Sequence, residues 1–276
     1  MFNKNPSIDS NEKYYIVDNI FDSKVFKNLT TEFKNKVERI DSWHEEYCKI
    51  TKDKGRTYQR VLDAPIRMNG GTSDSNSYKY MTKLFENDEN FSRLLKSLNN
   101  TDVIKKLIPN LSINNLRIRD KSTKIGLFQK IFYSNVYLSL KIARYQNGSG
   151  IGLHTDTPEK IVAMLFYFGY SDDVVRNNGG TQIYEKATNK TINSHEYLNH
   201  SDFDLIEDVA PLPNRAMGFN VSKKSWHGVS PLTGIPKDVY RDTFQLNLMK
   251  CTNYSNGLLV LTTIKNKIMK LIGTWK

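Results

Sequence analysis

Two different hydrophobic periodicities divide the chain. In the first half, apolar residues return every four positions from Val25 to Val37, which is the stripe of an amphipathic helix. Similar spacing predicts further helices over residues 81–98 and 103–108. Ahead of them, residues 14–21 alternate in the manner of a strand. The first half is therefore predicted to mix helices with at least one strand.

From about Val136 onward the pattern changes to short apolar runs with the signature of strands. Glycine, proline and asparagine stand between the runs, as expected at turns. Many short strands separated by turn signals favour a sandwich or a barrel, and a jelly roll is one such solution. The predicted strands cover residues 136–145, 161–168, 181–184, 215–219, 226–229 and 243–248.

These patterns predict a mainly β (α+β) fold in three parts. Residues 1–130 form a mixed helical and strand region that supports the core, and residues 131–252 form the β core. Residues 253–276 are predicted to be a basic, apolar C-terminal helix docked on the rest. Two stretches have no assigned role: residues 42–135 match no family that we can name, and residues 188–208 are a polar insertion that could form a lid.

Composition narrows the class of protein. The 276 residues are 38% hydrophobic and 25% charged, which is typical of a globular protein. No apolar run reaches the roughly 18 residues that span a bilayer, and the polar N-terminus lacks a secretory signal. We therefore expect a cytoplasmic protein without a transmembrane segment.

The chain is basic, with a formal net charge of +11. Such an excess can indicate nucleic acid, an anionic membrane surface or an anionic substrate as partner. The lysines are scattered among asparagines and isoleucines and do not form a cluster, so we attribute the charge to compositional bias. Nucleic acid is not the expected partner.

His154 and Asp156 are the first candidates for chemistry. In an extended segment, residues two apart point to the same side, so this imidazole and this carboxylate can hold one metal ion. Such a triplet alone is a weak signal. His227, at the start of a later predicted strand, supplies a second imidazole. Two histidines and one carboxylate on one face of a metal are the arrangement of non-haem iron(II) oxygenases.

Arg241 opens the strand that follows His227. Its guanidinium can bind a carboxylate through two parallel hydrogen bonds, and Thr243 on the same strand face could add a hydroxyl. Lys237 is a rival for the same carboxylate. We prefer Arg241 because the apolar strand begins directly after it.

The order His-x-Asp, distant His, then Arg resembles the prolyl-hydroxylase-like branch of the iron(II)- and 2-oxoglutarate-dependent oxygenases. The resemblance runs from Val136 to Met249, and three further features carry it. Residues 140–145 followed by Gly148 and Gly150 look like that branch's entry strand and loop. Gly179-Gly180-Thr181 resembles its Gly-Gly turn, and residues 211–219 resemble the strand before the distal histidine.

The resemblance implies a double-stranded β-helix, or jelly roll, with iron(II) held by His154, Asp156 and His227. It implies 2-oxoglutarate as co-substrate, bound through Arg241, and dioxygen as oxidant. It also implies that Tyr145 contacts 2-oxoglutarate. Relatives that halogenate lack the carboxylate that Asp156 provides here, so the resemblance implies hydroxylation.

The substrate does not follow from the fold or the triad. We expect a small or carrier-linked metabolite, because neither a peptide groove nor a nucleic-acid signature is visible. Two alternatives remain open: a nucleic-acid or peptidyl (prolyl) oxygenase of the same chemistry, and a non-catalytic metal-binding β-helix module. The oligomeric state is not predicted.

Overall fold

A computed structural model describes most of the chain. Described are residues 1–3, 6–10, 13–38, 77–108, 115–120, 123–145, 147, 150–168, 178–186, 202–236 and 239–251. Three predictions therefore lie outside the described residues: the C-terminal helix over 253–276, most of the insertion over 188–208, and the position of Lys237.

Five helices are described, all of them in the first half of the chain. The first begins where the sequence predicts, because the Asp22 carboxylate accepts hydrogen bonds from the backbone N–H groups of Lys24 and Val25. Its apolar stripe is buried at Leu29, Phe33 and Val37. The helices are α1 (Ser23–Glu38), α2 (Ser77–Leu84), α3 (Glu89–Leu98), α4 (Thr101–Leu107) and α5 (Leu127–Phe132).

Eleven described strands form two sheets. They are β1 (Ser7–Ser10), β2 (Tyr14–Asp18), β3 (Leu116–Ile118), β4 (Ser134–Tyr145), β5 (Ile151–His154), β6 (Lys160–Tyr167), β7 (Thr181–Lys186), β8 (Phe203–Val209), β9 (Arg215–Asn220), β10 (Trp226–Val229) and β11 (Arg241–Lys250). The seven-stranded major sheet has the order β1-β2-β9-β6-β11-β4-β3, and the four-stranded minor sheet has the order β5-β10-β7-β8.

The chain passes repeatedly between the two sheets. It leaves the major sheet after β6, returns at β9, and crosses again through β10 before closing with β11. All strand pairs are antiparallel except β3 with β4. This double-sheet, crossing path is the predicted jelly roll, and the predicted mainly β fold with added helices is confirmed.

The major sheet is buried on both faces, and the side-chain period of two separates their roles. Even-numbered residues of its central strands, such as Phe166, Phe244 and Leu246, pack with the helices in one large core cluster. Odd-numbered residues, such as Leu165 and Tyr167, turn toward the minor sheet. The helices thus stiffen the outer face, while the inner face is left for the site.

The prediction of an unbroken polar insertion over residues 188–208 is wrong at its C-terminal end. Residues Phe203–Val209 form β8, which pairs with β7 at the edge of the minor sheet. Leu205 and Ile206 on this strand are exposed. β8 is an edge strand, so its backbone is hydrogen-bonded to a neighbouring strand on one side only. Its sequence has no continuous apolar face, and the hydrophobic pattern therefore did not reveal it.

Candidate active site

Strand pairing brings the three predicted metal ligands together. His154 is the last residue of β5, Asp156 lies two residues beyond it, and His227 is the second residue of β10. His154 and His227 are direct partners in the antiparallel β5–β10 pair, and their ring centroids are 4.3 Å apart. The candidate ligand atoms of the three residues all lie within 4.8 Å of one another, so they could hold a metal ion.

Backbone carbonyls orient both imidazoles. Nδ1 of His154 lies 2.8 Å from the Gly152 carbonyl oxygen, and Nδ1 of His227 lies 2.9 Å from that of Ser225. Because a carbonyl oxygen can only accept, each Nδ1 carries the proton and donates it. In a neutral ring the lone pair is then on Nε2, which is how metal-binding histidines are commonly fixed.

The two carboxylate oxygens of Asp156 have different surroundings. Oδ1 accepts a hydrogen bond from the Lys160 ammonium at 2.6 Å. Oδ2 lies 3.8 Å from Nε2 of His227 and has no hydrogen-bond partner in the described part of the chain. One oxygen is therefore occupied by Lys160, while the other faces the imidazole nitrogens.

Burial and neighbouring charges set the protonation state of this cluster. Burial lowers the pKa of His227 to about 4, helped by the nearby His154. Burial likewise lowers the pKa of His154, although Asp156 opposes it. Burial would raise the pKa of Asp156, but Lys160 and the imidazoles outweigh it and hold this pKa at about 2. At neutral pH the cluster thus offers two neutral imidazoles and one carboxylate, all deprotonated as a metal requires.

Arg241, the first residue of β11, is a fully buried cation at 0% exposure. Its Nη2 donates to Thr181 Oγ1 at 2.9 Å, while its Nε and Nη1 find no hydrogen-bond partner among the described residues. The guanidinium lies 4.6 Å from the ring centroid of Tyr145 and 5.3 Å from that of Tyr167. A buried charge of this kind ordinarily has a counter-charge, and here the described residues supply none.

The other two predicted cofactor-binding residues flank Arg241. Tyr145 is its direct partner across the β4–β11 pair and is fully buried. Thr243 lies on the same face of β11, but its hydroxyl donates to the Ala143 carbonyl oxygen at 3.4 Å. Tyr145 is thus placed at the cation, while the Thr243 hydroxyl is directed at the backbone.

Sequence reasoning missed several residues of this region. The Tyr167 hydroxyl forms a hydrogen bond with Thr181 Oγ1 at 2.7 Å, beside Arg241. Lys160 was not singled out, because a lysine four residues after an aspartate outside a helix gives no recognisable signal. Both residues become visible only when the two sheets are packed together.

A cavity of about 80 Å³ lies between the sheets at this place. It extends from Tyr145 and Thr181, which contact Arg241, past the three clustered residues. Its other end is lined by Lys160, Gln245 and Asn247. Two residues that contact Arg241 therefore line the same cavity as the candidate metal ligands.

The Gly179-Gly180 turn closes that space beside Arg241. Gly179 has φ +69°, and a Cβ there would lie 2.9 Å from Cδ of Arg241. A Cβ on Gly180 would collide with the Asp208 side chain. The turn therefore requires glycine both for its left-handed backbone and for its close packing on the arginine stem.

Comparison with known proteins identifies the core of the molecule. The family model described as the 2OG-Fe(II) oxygenase superfamily matches residues 140–245, the stretch that holds His154, Asp156, His227 and Arg241. Residues 140–245 belong to the 2OG-Fe(II) oxygenase superfamily. The predicted 2-oxoglutarate-dependent dioxygenase is confirmed by this match, as are iron(II), 2-oxoglutarate and dioxygen as the reagents of its chemistry. No protein of curated function matches the sequence.

Several solved structures are similar to this superfamily member. A prolyl hydroxylase from Trichoplax adhaerens, in complex with a hypoxia inducible factor peptide fragment, is 13% identical with a TM-score of 0.47, covering 87% of this chain and 84% of its own. HygX from Streptomyces hygroscopicus, with nickel and 2-oxoglutarate bound, is 14% identical with a TM-score of 0.45, covering 89% and 84%. A Pseudomonas putida prolyl-4-hydroxylase is 11% identical with a TM-score of 0.39, covering 87% and 94%. At such values these structures do not bear on the substrate.

No helix in the described ranges is long and apolar enough to cross a membrane.

Proposed function

We propose that this oxygenase hydroxylates a C–H bond of a small or carrier-linked metabolite in the cytoplasm, with iron(II) held by His154, Asp156 and His227. The observation that carries the proposal is the buried Arg241, a cation with Nε and Nη1 unpaired in the described structure, in contact with Tyr145 and Thr181, which line the cavity of those three residues. A dicarboxylate reaching from the metal to the arginine would pair with both.

The three proposed ligands fit iron(II). Two imidazole nitrogens and one carboxylate oxygen converge from one side, and such a facial set leaves positions open for a chelating co-substrate and for dioxygen. When bound, iron(II) supplies the activation of dioxygen that is coupled to oxidation of 2-oxoglutarate to succinate and CO2.

Arg241 is proposed to bind the far carboxylate of 2-oxoglutarate. Its Nε and Nη1 have no hydrogen-bond partner among the described residues, so the guanidinium still has N–H groups to donate to a carboxylate. Tyr145 is proposed to contact the same molecule from beneath the cation. Thr243 is retained as a lesser candidate, because its hydroxyl already has the Ala143 carbonyl oxygen within reach. The rival residue, Lys237, lies outside the described structure.

The remaining residues of the cavity hold these groups in place and exclude water. Lys160 fixes one oxygen of Asp156, so that a single oxygen is presented to the metal. Phe219 packs against the His227 ring at 4.5 Å between centroids, and Leu165 and Val229 add apolar wall. A dry site strengthens the electrostatic interactions inside it.

The direct test is iron-dependent conversion of 2-oxoglutarate to succinate by the purified chain. We expect slow turnover without added substrate and faster turnover with the right metabolite. His227→Ala should abolish both, whereas His44→Ala, a histidine outside the proposed site, should abolish neither. A metal-binding module without catalysis would bind iron(II) and release no succinate, and that result would reject the proposal.

A further inference from the structure

The inner face of β11 continues beyond Arg241 with two amide side chains, Gln245 and Asn247, and both line the cavity. Asn247 is 1% exposed, yet its Nδ2 has no hydrogen-bond partner in the described structure. Leaving a buried amide unpaired is costly, so such a group in a native protein requires an explanation. The proposed metal and 2-oxoglutarate sites do not provide it.

The cross-strand neighbours of Asn247 define the surroundings of its unpaired amide group. Its direct cross-strand partners are Ser139 on β4 and Ala163 on β6. Ser139 is also 1% exposed, and its Oγ likewise lacks a hydrogen-bond partner among the described residues. Directly opposed residues share one face of a sheet, so two small side chains flank the amide and leave space above it.

This polar spot lies at the opposite end of the cavity from Arg241. Asn247 is six residues farther along β11, which corresponds to about 20 Å at ~3.4 Å per residue. Lys160, which holds Asp156, is the cross-strand partner of Met249 beside it. A five-carbon diacid held by Arg241 is too short to reach Asn247, so the spot belongs to a different ligand.

The charges nearby select the type of group that fits. Neither Ser139 nor Ala163 is ionisable, and the ammonium of Lys160 is already paired with Asp156. An ionised ligand group would find no counter-charge directly beside Asn247. The unpaired Nδ2 is a donor, and the Ser139 hydroxyl can also donate, so the matching partner is an uncharged oxygen acceptor.

We infer that Asn247 and Ser139 form a substrate subsite for a neutral oxygen, the hydroxyl or amide carbonyl of a polar small molecule. The inference rests on the proposed function and deepens it, since it names the substrate class as a hydroxyl- or amide-bearing compound and not a plain alkyl chain. Gln245, two residues closer to Arg241 on the same strand, adds a second amide to the wall of the cavity.

A first experiment separates a ligand-binding role from a structural one. If the two polar groups have no partner within the protein, then Asn247→Leu and Ser139→Ala should leave stability in urea unchanged or raise it. A structural role predicts the reverse, with the midpoint of unfolding lowered in both variants. Lowered stability in both variants would overturn the inference.

A second experiment measures binding with acetamide as the polar probe and 2-methylpropene as its hydrocarbon counterpart, by ligand-observed NMR on the full chain. We expect acetamide binding to weaken roughly fivefold or more in Asn247→Leu and in Ser139→Ala. Ser134→Ala, a buried serine elsewhere on β4, is the matched control and should bind as the unmodified protein does.

Equal binding of acetamide by the unmodified protein and by Asn247→Leu would overturn the inference, as would no acetamide binding at all. A preference of the unmodified protein for 2-methylpropene would do the same. None of these measurements needs turnover, so they remain interpretable if succinate release, the test of the proposed function, is not observed.

Discussion

Lys160 lines the cavity, and Arg241 contacts two residues that line it, Tyr145 and Thr181. These two cations are compensated differently. Lys160 has its carboxylate within the protein, 2.6 Å away on Asp156. Arg241 is more deeply buried, at 0% exposure, and no carboxylate of the described residues reaches it. Since a buried charge must be compensated, we infer that Lys160 positions the Asp156 carboxylate, whereas Arg241 pairs with a carboxylate of a bound ligand.

The largest expected effect comes from removing any one of the three candidate metal ligands. His154→Ala, Asp156→Ala and His227→Ala should each lose iron binding or succinate formation while the fold persists, because each removes one of the three proposed ligands. Metal content and turnover are measured together, with His44→Ala as control. Full activity in any one of the three variants would remove that residue from the site.

A smaller effect is expected on the stability of the metal-free protein. The pKa of His227 in the folded chain is about 4, below its ordinary 6.5, so folding opposes its protonation. The contribution of neutral His227 to the free energy of unfolding is complete above pH 6.5 and is lost as the pH falls toward 4. It amounts to at most ~3 kcal/mol. The free energy of unfolding, measured with urea at pH 7 and at pH 4, should therefore fall further in the unmodified protein than in His227→Gln. Equal losses would mean that His227 is not held neutral by burial.

The smallest predicted change concerns the compensated cation. Lys160→Met should weaken iron binding by roughly tenfold, because partners that orient a ligand carboxylate contribute about that much. Lys160→Arg keeps the charge and should recover part of the loss. Titration with iron(II) under anaerobic conditions measures both. If Lys160→Met bound iron as tightly as the unmodified protein, Lys160 would have no positioning role.

The central strands of the fold could be predicted from the sequence for a simple physical reason. Strand β6 is buried on both faces and is almost continuously apolar, and β11 alternates polar and apolar residues from Thr243 to Leu248, so both stand out in the chain. The α1 helix was equally clear, since its buried stripe and its Asp22 cap are local features. The edge strand β8 was not, because one paired side imposes little on its side chains.

The residues of the proposed site also differ in whether the sequence could predict them. His154 and Asp156 could be predicted because their spacing is local, and His227 and Arg241 because their order resembles a known family. The pairing of Lys160 with Asp156 and the unpaired amide of Asn247 could not. The first is a contact between residues four apart that has no recognisable sequence signature, and the second depends on the register of β11 with β4 and β6, which is set by the whole sheet.

The most direct test of the account is the affinity for 2-oxoglutarate, measured calorimetrically without oxygen and at saturating manganese(II) in place of iron. Arg241→Met should bind it at least roughly 30-fold more weakly, because a desolvated carboxylate would lose its charged partner, at a cost of about 2 kcal/mol or more. Lys160→Met, with the metal site filled, should bind it nearly as the unmodified protein does. Unchanged affinity in Arg241→Met, or an equal loss in Lys160→Met, would contradict the assignment of the buried arginine to the co-substrate.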